Sequence, residues 1–331
     1  MDILLQQIIN GLTTGSVYAV VALGYTMVYG VIQLINFAHG EVVMIGAMVA
    51  FSVITSLAGS ALPPLVIVLA GIIAAIPACM AMGYLLERAA YRPLRHAPRL
   101  APLITAIGMS IILQHLALLV WGRNPLAFPQ IIDNRVFAIG GAAISSVQIA
   151  IILMSLAMMA SLSWFVYRTR FGIAIRATAE NVHVAGLMGV NADRVIAATF
   201  VIGAGLGAMA GVMYGSYYGI AHYTMGFSLG LKAFSAAVLG GIGNIAGAML
   251  GGILLGLVEA LGTGYIGDLT DLCRWPGAGA GTGWMGERCA DGAHFVLFGS
   301  NYQEVFAFLM LILVLVFRPS GLLGERVSER A

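Results

Sequence analysis

Apolar residues in this chain come in long, nearly uninterrupted runs, with neither the alternation of a half-buried strand nor the narrow stripe of a surface helix. Runs long enough to cross about 30 Å of hydrocarbon fall at 5–32, 41–58, 62–86, 102–121, 146–167, 195–216, 245–262 and 303–317. A segment that is apolar on every side must be covered by lipid or by other helices. The pattern therefore predicts an all-α polytopic membrane protein of about eight to nine transmembrane helices, forming a single transmembrane domain over 1–331. Two places interrupt it. Residues 33–40 break the first apolar stretch, and 217–244 is apolar but divided by glycines, so each is read as a broken or re-entrant segment.

Composition agrees with a lipid solvent. The 331 residues are 60% hydrophobic and 9% charged, and the 43 glycines suit helices that approach closely where no hydrophobic effect drives them together. Met1-Asp2-Ile3-Leu4 has no basic region ahead of its apolar run, so no removable signal peptide is read and the first helix is expected to persist.

Charge adds a direction. Eleven of the 16 Lys and Arg residues gather at Arg88–Arg99, Arg168–Arg194 and Arg318–Arg330. By the positive-inside rule those segments are cytoplasmic, and the intervening regions, including a loop at 263–302, face outward. A chain that is inside at 168–194 and inside again after 318 must also return to the cytoplasmic side before residue 245, so 217–244 is expected to re-enter or cross. The N-terminus is outside if 33–40 is a cytoplasmic turn, and inside if it is a break within one span. A short echo links Asn36-Phe37-Ala38-His39-Gly40-Glu41 with Gly240-Gly241-Ile242-Gly243-Asn244, each followed by a helix rich in small residues. Paired broken helices in two halves of a chain line the path of many transporters.

The chemistry that is missing narrows the function. A phosphate-binding P-loop needs a lysine between Gly and Ser or Thr, but the sole lysine lies in Gly230-Leu231-Lys232-Ala233. There is no paired-histidine metal spacing, no Gly-x-Ser-x-Gly elbow and no CxxC, so no catalytic, cofactor or metal site is expected, and no nucleic-acid partner. Ionisable groups inside spans are costly and mark candidate functional positions: His39, Glu41, His115, Lys232 and Glu259. Each has a plainer reading. His39 and Glu41 stand at a helix start, where a carboxylate suits the helix dipole; His115, beside Gln114, suits a polar contact between helices; Glu259 lies near an outer end, within reach of water. Lys232 needs a partner or an aqueous cavity. The candidate path residues are thus Asn36, His39, Glu41, Lys232 and Asn244. Residues 168–194 suggest a short amphipathic helix around 173–185 before Gly186 and Gly189, with more apolar side chains than a solvated loop tolerates, so a protein partner is expected to cover it. Cys273 and Cys289 share the outward loop and are expected to form a disulfide, whereas Cys79 lies alone in a span.

Several motifs together resemble the permease family of ABC importers for branched-chain amino acids, the LivH type: Gln7-Ile8-Ile9-Asn10-Gly11-Leu12, Gly24-Tyr25-Thr26-Met27-Val28-Tyr29-Gly30, Asn36 to Glu41, the Glu87-Arg88 to Arg95 loop, Lys232-Ala233-Phe234 to Asn244, and Phe317-Arg318-Pro319-Ser320-Gly321-Leu322-Leu323-Gly324. The resemblance spans nearly the whole chain. It implies a bacterial inner-membrane subunit that pairs with a second, LivM-like permease, binds two cytoplasmic ABC ATPases, and takes cargo from a periplasmic amino-acid-binding protein. It implies no cofactor in this chain, ATP being bound by the partners. It also places an ATPase-coupling helix within 168–194, where Arg176, Glu180, Asn181, Ala185, Gly186 and Gly189 are the candidate docking residues. A permease for urea, short amides or sugars is the neighbouring alternative, and a self-sufficient secondary transporter the more distant one. Between Gly267 and Asn301 the chain departs from the family by a longer, glycine-rich stretch.

Overall fold

The computed structural model describes residues 2–95, 97–98, 100–130, 134–269 and 302–324. Among them are eleven α-helices: α1 (Asp2–Ile32), α2 (His39–Leu57), α3 (Pro64–Leu86), α4 (Leu100–Trp121), α5 (Ser146–Arg168), α6 (Arg170–Glu180), α7 (Val182–Leu187), α8 (Ala192–Tyr218), α9 (Met225–Gly240), α10 (Ile245–Leu269) and α11 (Gln303–Phe317). Strands are confined to two antiparallel pairs, β1 (Leu126–Ala127) with β4 (Ile220–Ala221) and β2 (Val136–Ile139) with β3 (Ala142–Ser145). Seven helices, α1 to α5, α8 and α10, are long and apolar enough to cross a membrane, and the chain is a multi-pass membrane protein. The expected span at 303–317 is a helix of 15 residues and α9 one of 16, both shorter than the roughly 20 residues a full crossing takes.

Helix α1 is the axis of the bundle. It runs antiparallel to α10 along a seam of small residues, with Gly15 against the backbone of Gly252 and Ile253, and Gly11 against Leu257. A side chain at these positions would hold the two backbones apart and forfeit the dispersion contact that joins helices in lipid. Helices α5, α8 and α9 pack against this pair, α2 and α3 pack on α8, and the residues of α1 from Val17 to Leu23 are almost wholly buried. Helix α10 continues to Leu269, so the first part of the expected 263–302 loop is helical. Cys273 and Cys289, with the disulfide expected of them, lie outside the described residues; Cys79 is a free, buried thiol, donating to the Val42 carbonyl at 3.3 Å.

The loops sort to two ends. At one end Gln6 of α1 holds the β3 backbone, its Nε2 donating to Ala143 O at 3.0 Å and its Oε1 accepting from Ala143 N at 2.8 Å. A capping box formed by Ser145 and Gln148 starts α5 beside it. At the other end lie the close of α1, the irregular turns Glu87–Tyr91 and Arg92–Leu94 that follow α3, the α6–α7 pair, the α9–α10 break and residues 318–324. Arg92 and Arg95 both pair there with Asp193 at 2.5 Å, and Arg95 also binds the buried Glu87. The described arginines of all three basic clusters thus share one end. The segment 168–194 is not one amphipathic helix over 173–185: α6 stops at Asn181, whose side chain accepts from His183 N and Val184 N to start α7.

Candidate functional site

Both expected breaks are present, and they are built differently. After Ile32 the chain leaves the helix through Gln33, a non-glycine residue at φ 53°. It then turns back toward the middle of the bundle, where α2 begins. His39 opens α2 with its ring against Gly24, about two turns before the end of α1, and close to Gly207, midway along α8. From the exposed Gln33 the backbone runs non-helically into the bundle, where Asn36 and Ala38 are buried, tolerated there because protein rather than lipid surrounds it. Near the start of this helix Gly40 lies against the backbone of Gly226 and Gly230 in the first half of α9, so tightly that a methyl group on Gly40 has no room. Helix α9 also begins inside the bundle, since α8 has already run to the far end at Tyr218, and it descends from there to the basic end. The stretch 217–244 does return the chain, through a six-residue link that contains β4 and then a short helix.

Two helix starts thus meet at mid-depth, α2 running one way and α9 the other. Neither Ala38 nor Thr224 supplies a side-chain cap. The acid of α2's first turn, Glu41, is fully buried. Its Oε1 accepts from Gln114 Nε2 at 2.7 Å and from Ser110 Oγ at 3.0 Å, both on α4. Its Oε2 lies beside Gly226 of α9 and has no hydrogen-bond partner, and neither does the buried His39 Nε2. Such groups are few in any fold.

The other site candidates take other positions. Asn36 is buried and accepts from the Tyr91 hydroxyl at 2.9 Å. Asn244 caps α10, its Oδ1 accepting from Gly247 N at 3.0 Å while its Nδ2 donates to Leu323 O at 2.9 Å. Lys232 has the partner it was expected to need: its Nζ lies 2.7 Å from Glu259 Oε1, and 3.9 Å from Glu304. Glu259 does not reach water near an outer end; it is 1% exposed and ties α10 to α9. His115 makes no interhelical contact, because its Nδ1 meets the carbonyl of Ile111 on its own helix while the ring faces out. The residue of that pair that points inward is Gln114. Its spacing of four from Ser110, on the face that buries Leu113 and Ala117, is the signal that could have found both Glu41 donors.

Within 168–194, Arg176 lies 5.5 Å from the Tyr167 ring and, with Glu180, faces a cavity. Ala185 is buried on the inner face of α7, Gly186 is open to solvent, and Gly189 takes a left-handed φ of 85° to leave the helix. The exposed apolar surface is made instead by Ile173, Val182, Val184, Leu187 and Met188, the last two 76% and 80% exposed.

Comparison with known proteins agrees with this architecture. Residues 7–315 match the family model described as branched-chain amino acid transport system, permease component. The chain is 46% identical over 331 residues to the high-affinity branched-chain amino acid transport system permease protein BraD of Pseudomonas aeruginosa, covering 98% of this chain and 97% of that one. It is 42% identical over 332 residues to the permease protein LivH of Escherichia coli K12, with the same coverage. A probable LivH of Methanocaldococcus jannaschii is 25% identical over 308 residues, 92% of this chain and 87% of that one. No solved structure matches the chain. With a multi-pass helical bundle and a family match over almost its entire length, the chain belongs to the permease components of branched-chain amino acid transport systems.

Proposed function

We propose that this chain is one of two membrane-spanning subunits of an ATP-driven importer in the bacterial inner membrane, carrying branched-chain amino acids delivered by a periplasmic binding protein. A second, LivM-like permease would complete the pathway, and two cytoplasmic ATPases would bind the ATP, so this chain needs no cofactor and does no covalent chemistry. The basic end, which also carries Gln33, faces the cytoplasm in this reading, and the start of α1 faces the periplasm. His39 and Glu41 line the path at mid-depth; Asn36, Lys232 and Asn244 hold the elements round it.

The observation that carries the reading is the α6–α7 pair. It stands outside the membrane-crossing helices at the basic end and presents Val182, Val184, Leu187 and Met188 to solvent. A contiguous apolar patch in water marks a docking surface, and its place beside three arginine clusters fits a cytoplasmic partner. ATP-driven closure of the partners would move this pair and, through Asp193 with Arg92 and Arg95, the ends of α8 and α3.

The test is co-purification. Leu187→Glu and Met188→Glu in the complete complex are expected to release the ATPases while the chain still inserts and still pairs with the second permease. ATPases that remain bound to both variants, and are still stimulated by loaded binding protein, place docking elsewhere. Leucine accumulation by this chain alone in liposomes, driven by an ion gradient, would defeat the importer reading altogether.

A further inference from the structure

At the basic end a cavity of about 1410 Å³ opens between α1, α5, α6, the α9–α10 break and residues 317–324. Its charged lining is mixed, with Arg176 and Arg318 against Glu180, and between these stand apolar side chains such as Val31, Ile175 and Ile242. Separated charges of both signs around an aliphatic wall are the complement of a small zwitterion with a branched apolar side chain. Of the α1 residues that line the cavity, Thr26 lies farthest from the end of the helix, and its buried Oγ1 has no hydrogen-bond partner.

Beyond Thr26 the way is closed by aromatic rings. Tyr29 and Val238 line the cavity. One helical turn deeper on the same faces stand Tyr25 on α1 and Phe234 on α9, their rings 6.1 Å apart. Phe37, from the re-entrant link, lies 5.7 Å from Phe234, and His39 lies edge-on to Tyr25 at 4.9 Å. Immediately beyond is the junction of Gly40, Gly226 and Gly230, with the Tyr25 hydroxyl beside Gly230. Cavity, aromatic cluster and helix-start junction therefore follow one another along α1 and α9.

Resting on the importer reading, we propose that this cavity is the inward vestibule of the translocation path and holds a small aliphatic zwitterion, with Tyr25, Phe234 and Phe37 forming the closed gate between it and the Glu41 junction. The gate spans three elements, two of which start or end at a break, so a small rotation of α9 separates the rings without unfolding a helix. The vestibule wall is α6, whose neighbour α7 carries the proposed docking surface. A partner that moves α6 thereby reshapes the vestibule directly.

Two measurements on the complete complex in proteoliposomes test this. Vesicles loaded with labelled leucine and sucrose, without ATP, are expected to lose leucine at least about tenfold faster with Tyr25→Ala or Phe234→Ala than with the wild-type chain, as a barrier lowered by about 1.4 kcal/mol allows, while sucrose is retained. Phe234→Leu, which keeps most of the apolar volume, gives the same readout with smaller risk to folding. Assembled variants that hold leucine as tightly as wild type overturn the gate, as does a leak that carries sucrose equally. For the vestibule, Ala179→Cys is labelled from the ATPase side with an impermeant maleimide and read by peptide mass spectrometry. Leucine should slow labelling and 4-methylpentanoate, which lacks the amine, should not; equal labelling in both overturns the site. A wild-type complex that accumulates no leucine with ATP and loaded binding protein defeats the importer reading itself, whereas a working complex without leak or protection defeats only this inference.

Discussion

Glu41 and Glu259 are both buried, at 0% and 1% exposure, yet the bundle treats them in opposite ways. Glu259 is met by a full cation: Lys232 reaches it at 2.7 Å from the neighbouring helix and lies 5.9 Å from the Tyr18 ring. Glu41 is met only by the neutral donors Ser110 and Gln114, at the start of one helix and beside the first turn of another. An ion pair in a low-dielectric interior locks its two elements, because removing either partner strands a charge. An acid held by two neutral hydrogen bonds and two helix starts can exchange partners at smaller cost, because no counter-ion is stranded when it does. One acid fastens α10 to α9 with an ion pair, and the other joins α2 to α4 by neutral hydrogen bonds beside the first turn of α9.

Three substitutions break or sharpen that contrast, from the largest effect to the smallest. Lys232→Ala leaves Glu259 buried without its cation and should destabilise the chain by about 3–5 kcal/mol, read by equilibrium unfolding in mixed micelles. The paired change Lys232→Met with Glu259→Leu should recover most of that loss, and a double variant as unstable as the single one would show that the ion pair is not what fastens these helices. Next, Glu41→Gln keeps an acceptor for Ser110 and Gln114, so it should cost no more than about 1–2 kcal/mol while ATP-driven leucine uptake falls. Unfolding as severe as that of Lys232→Ala would make Glu41 a structural anchor after all. Ser110→Ala removes one of the two donors and should cost about 0.5–1.5 kcal/mol by the same measurement, with the loss absent in a Glu41→Ala background if the hydrogen bond is its cause.

The two breaks show the same division of labour. At the α9–α10 break, Gly241 and Gly243 take φ of 105° and 96°, Asn244 caps the next helix, and Leu322 and Leu323 donate to the carbonyls of Leu239 and Gly240. The hinge is glycine-rich, but the C-terminal segment clamps it. The break at 33–38 turns on Gln33, leaves α2 without a side-chain cap, and rests on one side-chain bond from Tyr91 to Asn36. Both segments interrupt the helical run, although their hydrogen bonding differs.

Much of this was open to reading from the chain alone. Long apolar runs can be satisfied only by helices in lipid, so the class, seven of the spans and both interruptions follow from composition and length. Arginine clustering gathered the right loops at one end, because that asymmetry is written in residue type and not in contacts. The solitary lysine announced a partner, since an ammonium in an apolar segment cannot stand alone.

What the chain could not disclose was which residues share a level once the helices pack. Glu259 was assigned to water because depth was counted along its own helix, whereas α9 begins inside the bundle and carries Lys232 to it. His115 drew attention as the rarer residue, but helix rotation turns it outward and Gln114 inward. In 168–194 the kink at Asn181 turns Ala185 under the surface and Leu187 onto it, an arrangement that position along the chain does not reveal. Hydropathy reports how much of a segment avoids water and is blind to its azimuth and starting depth. Those are decided by small residues that let particular backbones touch, Gly40 on Gly226 and Gly15 on Gly252, and contacts between distant positions exist only in the folded bundle.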